Sequence, residues 1–231
     1  MTSKLIVALD LDNKNEALDL IDQLDPSSCA LKIGSEMFTL WGPVFVTQVI
    51  NRGFKVFLDL KFHDISHTVA RACKAGAELG VWMLNVHASG GLKMMQAAVA
   101  ALEPYGRNKP LLIAVTILTS LDESDLLGLG MNRPLLAHVS DLAQLANSAC
   151  LDGVVCSAYE VKKIKELCGK NFLTVTPGIR LPSNTADDQS RIMTPKQAIE
   201  EGSDYLVIGR PITRALSPAN AVREILLDIK F

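Results

Sequence analysis

Two acidic residues and a lysine stand close together at Asp59, Lys61 and Asp64, and the run that carries the first two, Val56 to Lys61, is otherwise apolar. Side chains of a strand alternate between faces, so Asp59 and Lys61 point the same way. Lys32 lies in a second apolar run and Asp10 ends a third. Gathered at one mouth, these four residues make an alternating array of charge, the kind of cluster that moves protons or stabilises charge at a reacting centre. A structural ion-pair cluster is the plainer alternative. Several charges at the ends of successive apolar runs favour the functional reading.

A second constellation lies near the other end of the chain, in Thr176-Pro-Gly-Ile-Arg180 and Ile208-Gly-Arg210-Pro-Ile212. Glycine amides, a short helix N-terminus and a basic side chain bind phosphate, which makes Gly209 and Arg210 candidate phosphate ligands. A turn glycine and a surface charge are the alternative there. The longest polar interruption runs from Arg180 to Arg191, and a loop of that length in a compact domain is usually a lid or binding loop. Other residues offer less. His63 and His87 have no paired spacing of a metal site and read as structural hydrogen-bonding residues. His138 reads as helical surface, Trp41 and Trp82 as packing, and Lys4 with Lys162, Lys163 and Lys165 as solvated faces.

Short apolar segments must position these groups. They run Leu5 to Asp10, Ala30 to Gly34, Val56 to Lys61, Met83 to Ala88, Leu111 to Ile117, Gly153 to Ser157, Leu173 to Gly178 and Tyr205 to Arg210. Continuous rather than alternating hydrophobicity marks strands of a parallel sheet buried on both faces. Between them lie stretches of helical spacing, such as Ala17, Leu18, Leu20, Ile21 and Leu24. One helix start is spelled out by Thr194 as N-cap, Pro195 at the first turn and Gln197 three residues on, with Gly202 as the stop. Strand and helix alternate through residues 1–231 with no composition break. No G-x-G-x-x-G follows the first strand, so a closed single-domain (β/α)8 (TIM) barrel is expected in preference to an open doubly wound sheet.

Composition narrows the partners. The chain has 231 residues, 48% hydrophobic, with 23 basic against 25 acidic side chains, enough for one barrel-sized core and without a charge block suited to nucleic acid or membrane. Cys29, Cys73, Cys150, Cys156 and Cys168 form an odd, scattered set, which reads as reduced thiols of a cytoplasmic protein. No signal peptide and no membrane-spanning run is expected.

Asp59-Leu-Lys61-Phe-His-Asp64-Ile, followed by Thr68-Val, resembles the D-x-K-x-x-D signature of the orotidine 5'-monophosphate decarboxylases. The likeness continues through Val7-Ala-Leu-Asp10, Leu31-Lys-Ile-Gly34, Val86-His-Ala, Val115-Thr-Ile-Leu-Thr119-Ser120, Val175 to Arg180, Asp187-Asp-Gln189 and Val207 to Ile212. Related barrels that act on sugar phosphates share the short signature, but the full ordered set is specific. The resemblance implies decarboxylation of orotidine 5'-monophosphate (OMP) to UMP, without metal or organic cofactor. It implies that Lys61 protonates C6, that Asp59 sits beside the departing carboxylate, and that Lys32 holds Asp59 while contacting the ribose with Asp10. Thr119 would meet the pyrimidine edge. Gln189 would bridge base and phosphate beside Arg180, Arg210 and the Gly209 amide. Asp64 and Thr68 would enter the neighbouring subunit's site, making a homodimer. Where this family usually continues Ile-Pro-Asn-Thr-Val, Ser66 and His67 replace the Pro and Asn, a change that bears on local loop stiffness.

Three rivals remain at this point. A sugar-phosphate decarboxylase or aldolase-type relative would use a divalent metal held partly by an acidic residue in the second strand, where this chain has Lys32. A phosphosugar isomerase needs a paired acid and base. A non-catalytic nucleotide-binding barrel would tolerate loss of a charged residue that this chain retains.

Overall fold

A computed structural model of the protein describes residues 3–180 and 193–229. Eight parallel strands close in sequential order into one barrel: β1 (Leu5–Ala8), β2 (Ala30–Gly34), β3 (Val56–Phe62), β4 (Met83–His87), β5 (Leu111–Val115), β6 (Gly153–Val155), β7 (Leu173–Thr176) and β8 (Tyr205–Ile208). Ten helices are described around it: α1 (Lys14–Asp22), α2 (Ser35–Ile50), α3 (Ser66–Glu78), α4 (Leu92–Leu102), α5 (Glu123–Gly128), α6 (Leu135–Ser148), α7 (Val161–Cys168), α8 (Pro195–Glu200), α9 (Arg210–Thr213) and α10 (Pro218–Asp228). The expected barrel is the one observed.

Most strands serve two cores. Leu5, Val7, Leu31, Ile33, Leu58 and Leu84 are buried in the larger cluster, which includes helix residues such as Ile21, Val49 and Ala98. The alternate positions Ile6, Ala30, Phe57, Met83, Ile113, Val175 and Val207 fill the barrel interior. Two-sided burial explains the unbroken apolar runs. One interior position admits no side chain: a Cβ on Gly153 would collide with the backbone and Cβ of Leu173 on β7, so glycine lets β6 and β7 close together.

Helix α8 starts as its sequence predicts, with Thr194 and Gln197 making a reciprocal capping box and Gly202 at φ +102° past its end. Five of the eight strands, β1 and β5 to β8, stop two residues short of their apolar runs. Leu9, Ile117 and Cys156 stay buried beyond the ladder, because hydrophobicity reports burial and pairing ends earlier. Lys165 is a correction: its ammonium pairs with Asp204 at 2.6 Å and donates to the Phe172 carbonyl at 2.8 Å, so it is not solvated. Asp204 also accepts from the Thr174 amide at 2.7 Å, tying α7, β7 and the lead into β8 at the end of the barrel where the strands begin.

Candidate active site

The interior changes character along the strands. Two residues after Ala30 comes Lys32, after Phe57 comes Asp59, and after Met83 comes Asn85, so the apolar floor gives way to a polar layer nearer the strand C-termini. In that layer Lys32 Nζ lies 3.0 Å from Asp10 Oδ1 and 3.3 Å from Asp59 Oδ2, and Lys61 Nζ lies 2.8 Å from Asp59 Oδ1. Asp10, Lys32, Asp59 and Lys61 therefore form the alternating chain of charge that their types and positions predicted. Its inner members are the most enclosed, Asp59 being 8% and Lys32 9% exposed.

Burial opposes ionisation of both groups, and their partners outweigh it. Lys32 and Lys61, with hydrogen bonds from Lys61 and Asn85, hold the Asp59 carboxyl below the ordinary carboxylate range. Asp59 and Asp10 likewise hold the Lys32 ammonium above the ordinary lysine range. Both are therefore charged at neutral pH.

Two backbone features shape the array. Leu58 pairs with Leu84 and Phe62 with Val86, so Asp59, Leu60 and Lys61 together stand opposite Asn85 alone. Within this bulge Lys61 adopts φ +50°. Simple alternation predicted the right face for Lys61, but the strand is not regular there. Asp10 lies beyond β1 rather than ending it, at φ +39°. Left-handed conformations are uncommon for such residues and concentrate at functional sites.

The array forms part of the wall of a cavity of about 500 Å³. Phe57, Val155 and Val207 supply apolar lining, and Ile117, Leu118 and Thr119 line the wall after β5. Pro177, Gly178 and Arg180 follow β7, and Gly209 and Arg210 follow β8. The two constellations of the sequence thus share one space. Thr119 is 9% exposed, and Gln189 lies outside the described residues. Asp64 and Thr68 are exposed and do not line this cavity.

His63 and His87 also stay outside the cavity wall. Among the described residues they form a ring contact, centroids 5.4 Å apart, rather than the expected structural hydrogen bonds. Burial, then the neighbouring His63 and Lys61, lower the His87 pKa. His138 lies on α6 but is only partly exposed. Trp41 packs on Phe45 and Trp82 on Tyr205, as expected.

Sequence reasoning missed Asn85, Thr213 and Arg214. Asn85 is fully buried, donating to Asp59 and accepting from the Lys61 amide. A polar residue inside the apolar run Met83 to Ala88 was a usable signal. Thr213 and Arg214 line the cavity from the end of α9, a placement visible only once that helix is folded.

Known proteins share this architecture and sequence. The model of the Orotidine 5'-phosphate decarboxylase / HUMPS family matches residues 3–225. An orotidine 5'-phosphate decarboxylase of Legionella pneumophila (strain Corby) is 63% identical over 229 residues, covering 99% of this chain and 100% of that protein. One from Tolumonas auensis is 59% identical, covering 98% of each. The crystal structure of orotidine 5'-phosphate decarboxylase from Lactobacillus acidophilus superposes with a TM-score of 0.87 at 40% identity, covering 99% of this chain and 100% of that one. With a match along nearly its whole length and the charged array at the barrel mouth, the chain belongs to the Orotidine 5'-phosphate decarboxylase / HUMPS family and is a carboxy-lyase.

Proposed function

We propose that this chain decarboxylates OMP to UMP in pyrimidine biosynthesis, using its own side chains without metal or organic cofactor. The observation that carries this reading is the Asp10, Lys32, Asp59, Lys61 chain of charge in one cavity with Gly209 and Arg210. In the reaction the bond from C6 to the carboxylate breaks, its electron pair stays on C6, and CO2 leaves. C6 then takes a proton from Lys61 Nζ. No adjacent carbonyl can absorb the developing charge, so a fixed ammonium supplies the stabilisation, usually the largest single catalytic contribution. Asp59, kept ionised by two lysines, fixes Lys61 and lies beside the substrate carboxylate. Lys32 and Asp10 take the ribose, Thr119 the pyrimidine edge, and Arg180, Gly209, Arg210 and Gln189 the phosphate side. Phosphate binding far from C6 orders the reacting end, the general way a non-reacting group lowers a barrier.

A homodimer completes each site with Asp64 and Thr68 of the neighbouring subunit. Support comes from their exposure, from their absence from their own chain's cavity, and from Ile65 beside them at 71% exposure. A cytoplasmic setting is supported by the free thiols of Cys29, Cys73, Cys150 and Cys168. No helix of the described residues is long and apolar enough to cross a membrane. The metal-dependent alternative is disfavoured because Lys32 occupies the second strand and pairs with Asp59. The deciding assay follows the absorbance of OMP with purified protein in EDTA. Steady conversion to UMP is expected, and an unchanged spectrum at high enzyme concentration overturns the reading.

A further inference from the structure

Where β3 bulges, three of its residues face the single residue Asn85 on β4, and the ladder loses its ordinary partners. The Asn85 side chain takes their place. Its Oδ1 accepts from the Lys61 backbone amide at 2.8 Å, and its Nδ2 donates to Asp59 Oδ1 at 2.6 Å. The orientation of the amide is fixed by chemistry, since an ionised carboxylate only accepts and a backbone N–H only donates. Asn85 is fully buried, so water cannot substitute at either contact.

We propose that Asn85 is a positioning residue for the decarboxylation, one that sets the distance between the Asp59 carboxylate and the Lys61 ammonium by bridging the carboxylate to the Lys61 main chain. The proposal rests on the decarboxylase reading above. The bridge has a specific consequence. The Lys61 ammonium and the Asn85 amide both meet Asp59 Oδ1, while Lys32 meets Oδ2. The carboxylate is thus held from three strands and does not rotate toward either lysine alone. The Lys61 backbone, left-handed at φ +50°, is held by the same amide group that holds Asp59. Asn85 touches no reacting atom in this scheme; it acts through its two partners.

Two substitutions separate positioning from mere support of the fold. Asn85→Ala removes both contacts. Asn85→Asp keeps the acceptor for the Lys61 amide but faces Asp59 with a second carboxylate, and two such groups at hydrogen-bond distance do not both ionise readily. Lys32 from β2 and Lys61 from β3 also face this pair, the β5 neighbour Ile113 is apolar, and the charge of Asp59 acts on His87 farther along β4. As the pH falls, the carboxyl introduced at position 85 gains a proton, donates a hydrogen bond through it to Asp59, and restores both contacts.

The experiment measures thermal unfolding, UMP binding, and kcat and KM for OMP in the wild type and both variants from about pH 5 to about pH 9. Asn85→Ala is expected to lose about 10- to 100-fold in kcat with KM changed less than about threefold, the size of effect that small misplacements produce. Asn85→Asp is expected to approach wild-type kcat at the acid end and fall progressively below it as the pH rises. Kcat of Asn85→Ala within about threefold of wild type overturns the proposal. So does an Asn85→Asp to wild-type ratio that is flat with pH. Should Asn85→Ala fail to fold, the pH dependence of that ratio decides alone. An inactive wild type overturns the decarboxylase reading instead, so the two failures are distinguishable.

Discussion

Lys61 Nζ lies 2.8 Å from Oδ1 of Asp59, although one residue separates them on the same strand. In a regular strand, positions two apart are roughly 6.6 Å distant and their side chains run parallel. The bulge opposite Asn85 and the left-handed φ of Lys61 change that geometry. Such a conformation costs about 1 to 3 kcal/mol for a side-chain-bearing residue, and the ion pair and the Asn85 hydrogen bonds help to offset it. Strain and charge thus coincide at the residue proposed to protonate C6.

Lys61→Ala is therefore expected to abolish nearly all turnover while UMP binding persists, because it removes an interaction used mainly in the transition state. Steady-state kinetics with parallel calorimetry of UMP binding checks this. A variant that retains wild-type kcat refutes the assignment.

After β8, Arg210 lines the same cavity beside Gly209. Arg210→Ala should lower kcat/KM for the nucleotide strongly and barely change the slow reaction of the phosphate-free nucleoside, which makes no charge-assisted contact there. Equal losses with both substrates would show that Arg210 acts elsewhere.

Asp204 offers a contrast, since its partners Lys165 and Thr174 lie at the end of the barrel away from the cavity. Asp204→Ala takes the counter-charge from a partly buried ammonium and the acceptor from a backbone amide, a loss of about 3 kcal/mol. For a chain of this length that corresponds to a fall in Tm of roughly 6 to 12 °C. KM for OMP in the folded fraction should not change. A Tm within about 2 °C of wild type would show that the cluster is dispensable.

Burial pushes the Cys29 and Cys73 thiols up to about 12 from an ordinary 9.0. Above pH 9 the unfolded chain ionises these thiols and the folded chain does not. They therefore contribute nothing below that pH and weaken the fold progressively as the pH rises toward about 12. Thermal melts of the wild type and the Cys29→Ala, Cys73→Ala double variant across this range should show a shallower decline in the variant. Identical slopes would place the alkaline instability elsewhere.

How much of this could be read beforehand varies with the physics involved. Strand order followed from apolar runs, because two-sided burial leaves a compositional trace in Leu31, Ile33 or Val56. The end of each ladder did not, since Leu9 and Ile117 are buried without belonging to strands. The charged array was legible because Lys32 and Asp59 break apolar runs. Asn85 breaks one in the same way, but its role depends on a bulge, and nothing local in Asp59-Leu-Lys61 distinguishes a bulged strand from a regular one. Lys165 reads as surface beside Lys162 and Lys163 until the fold brings Asp204 to it.

The proposed sharing of sites between subunits gives a test that depends on counting. Asp64 is exposed, and its Oδ1 accepts only from the adjacent Ile65 amide among the described hydrogen bonds. If the dimer is isologous, each site takes Lys61 from one chain and Asp64 from the other. Lys61→Ala and Asp64→Ala should each be nearly inactive alone. After full subunit exchange at equal amounts, about half the dimers are mixed, and each mixed dimer has one doubly altered site and one with both native residues. Roughly a quarter of all sites should then recover, and activity should rise to about that fraction of wild type. If each site draws both residues from its own chain, a mixed dimer contains no native site and activity stays at the sum of the two variants. Native mass spectrometry of differently tagged chains establishes that exchange has occurred. Confirmed exchange without recovery would place Asp64 in its own subunit's site, or exclude this dimer.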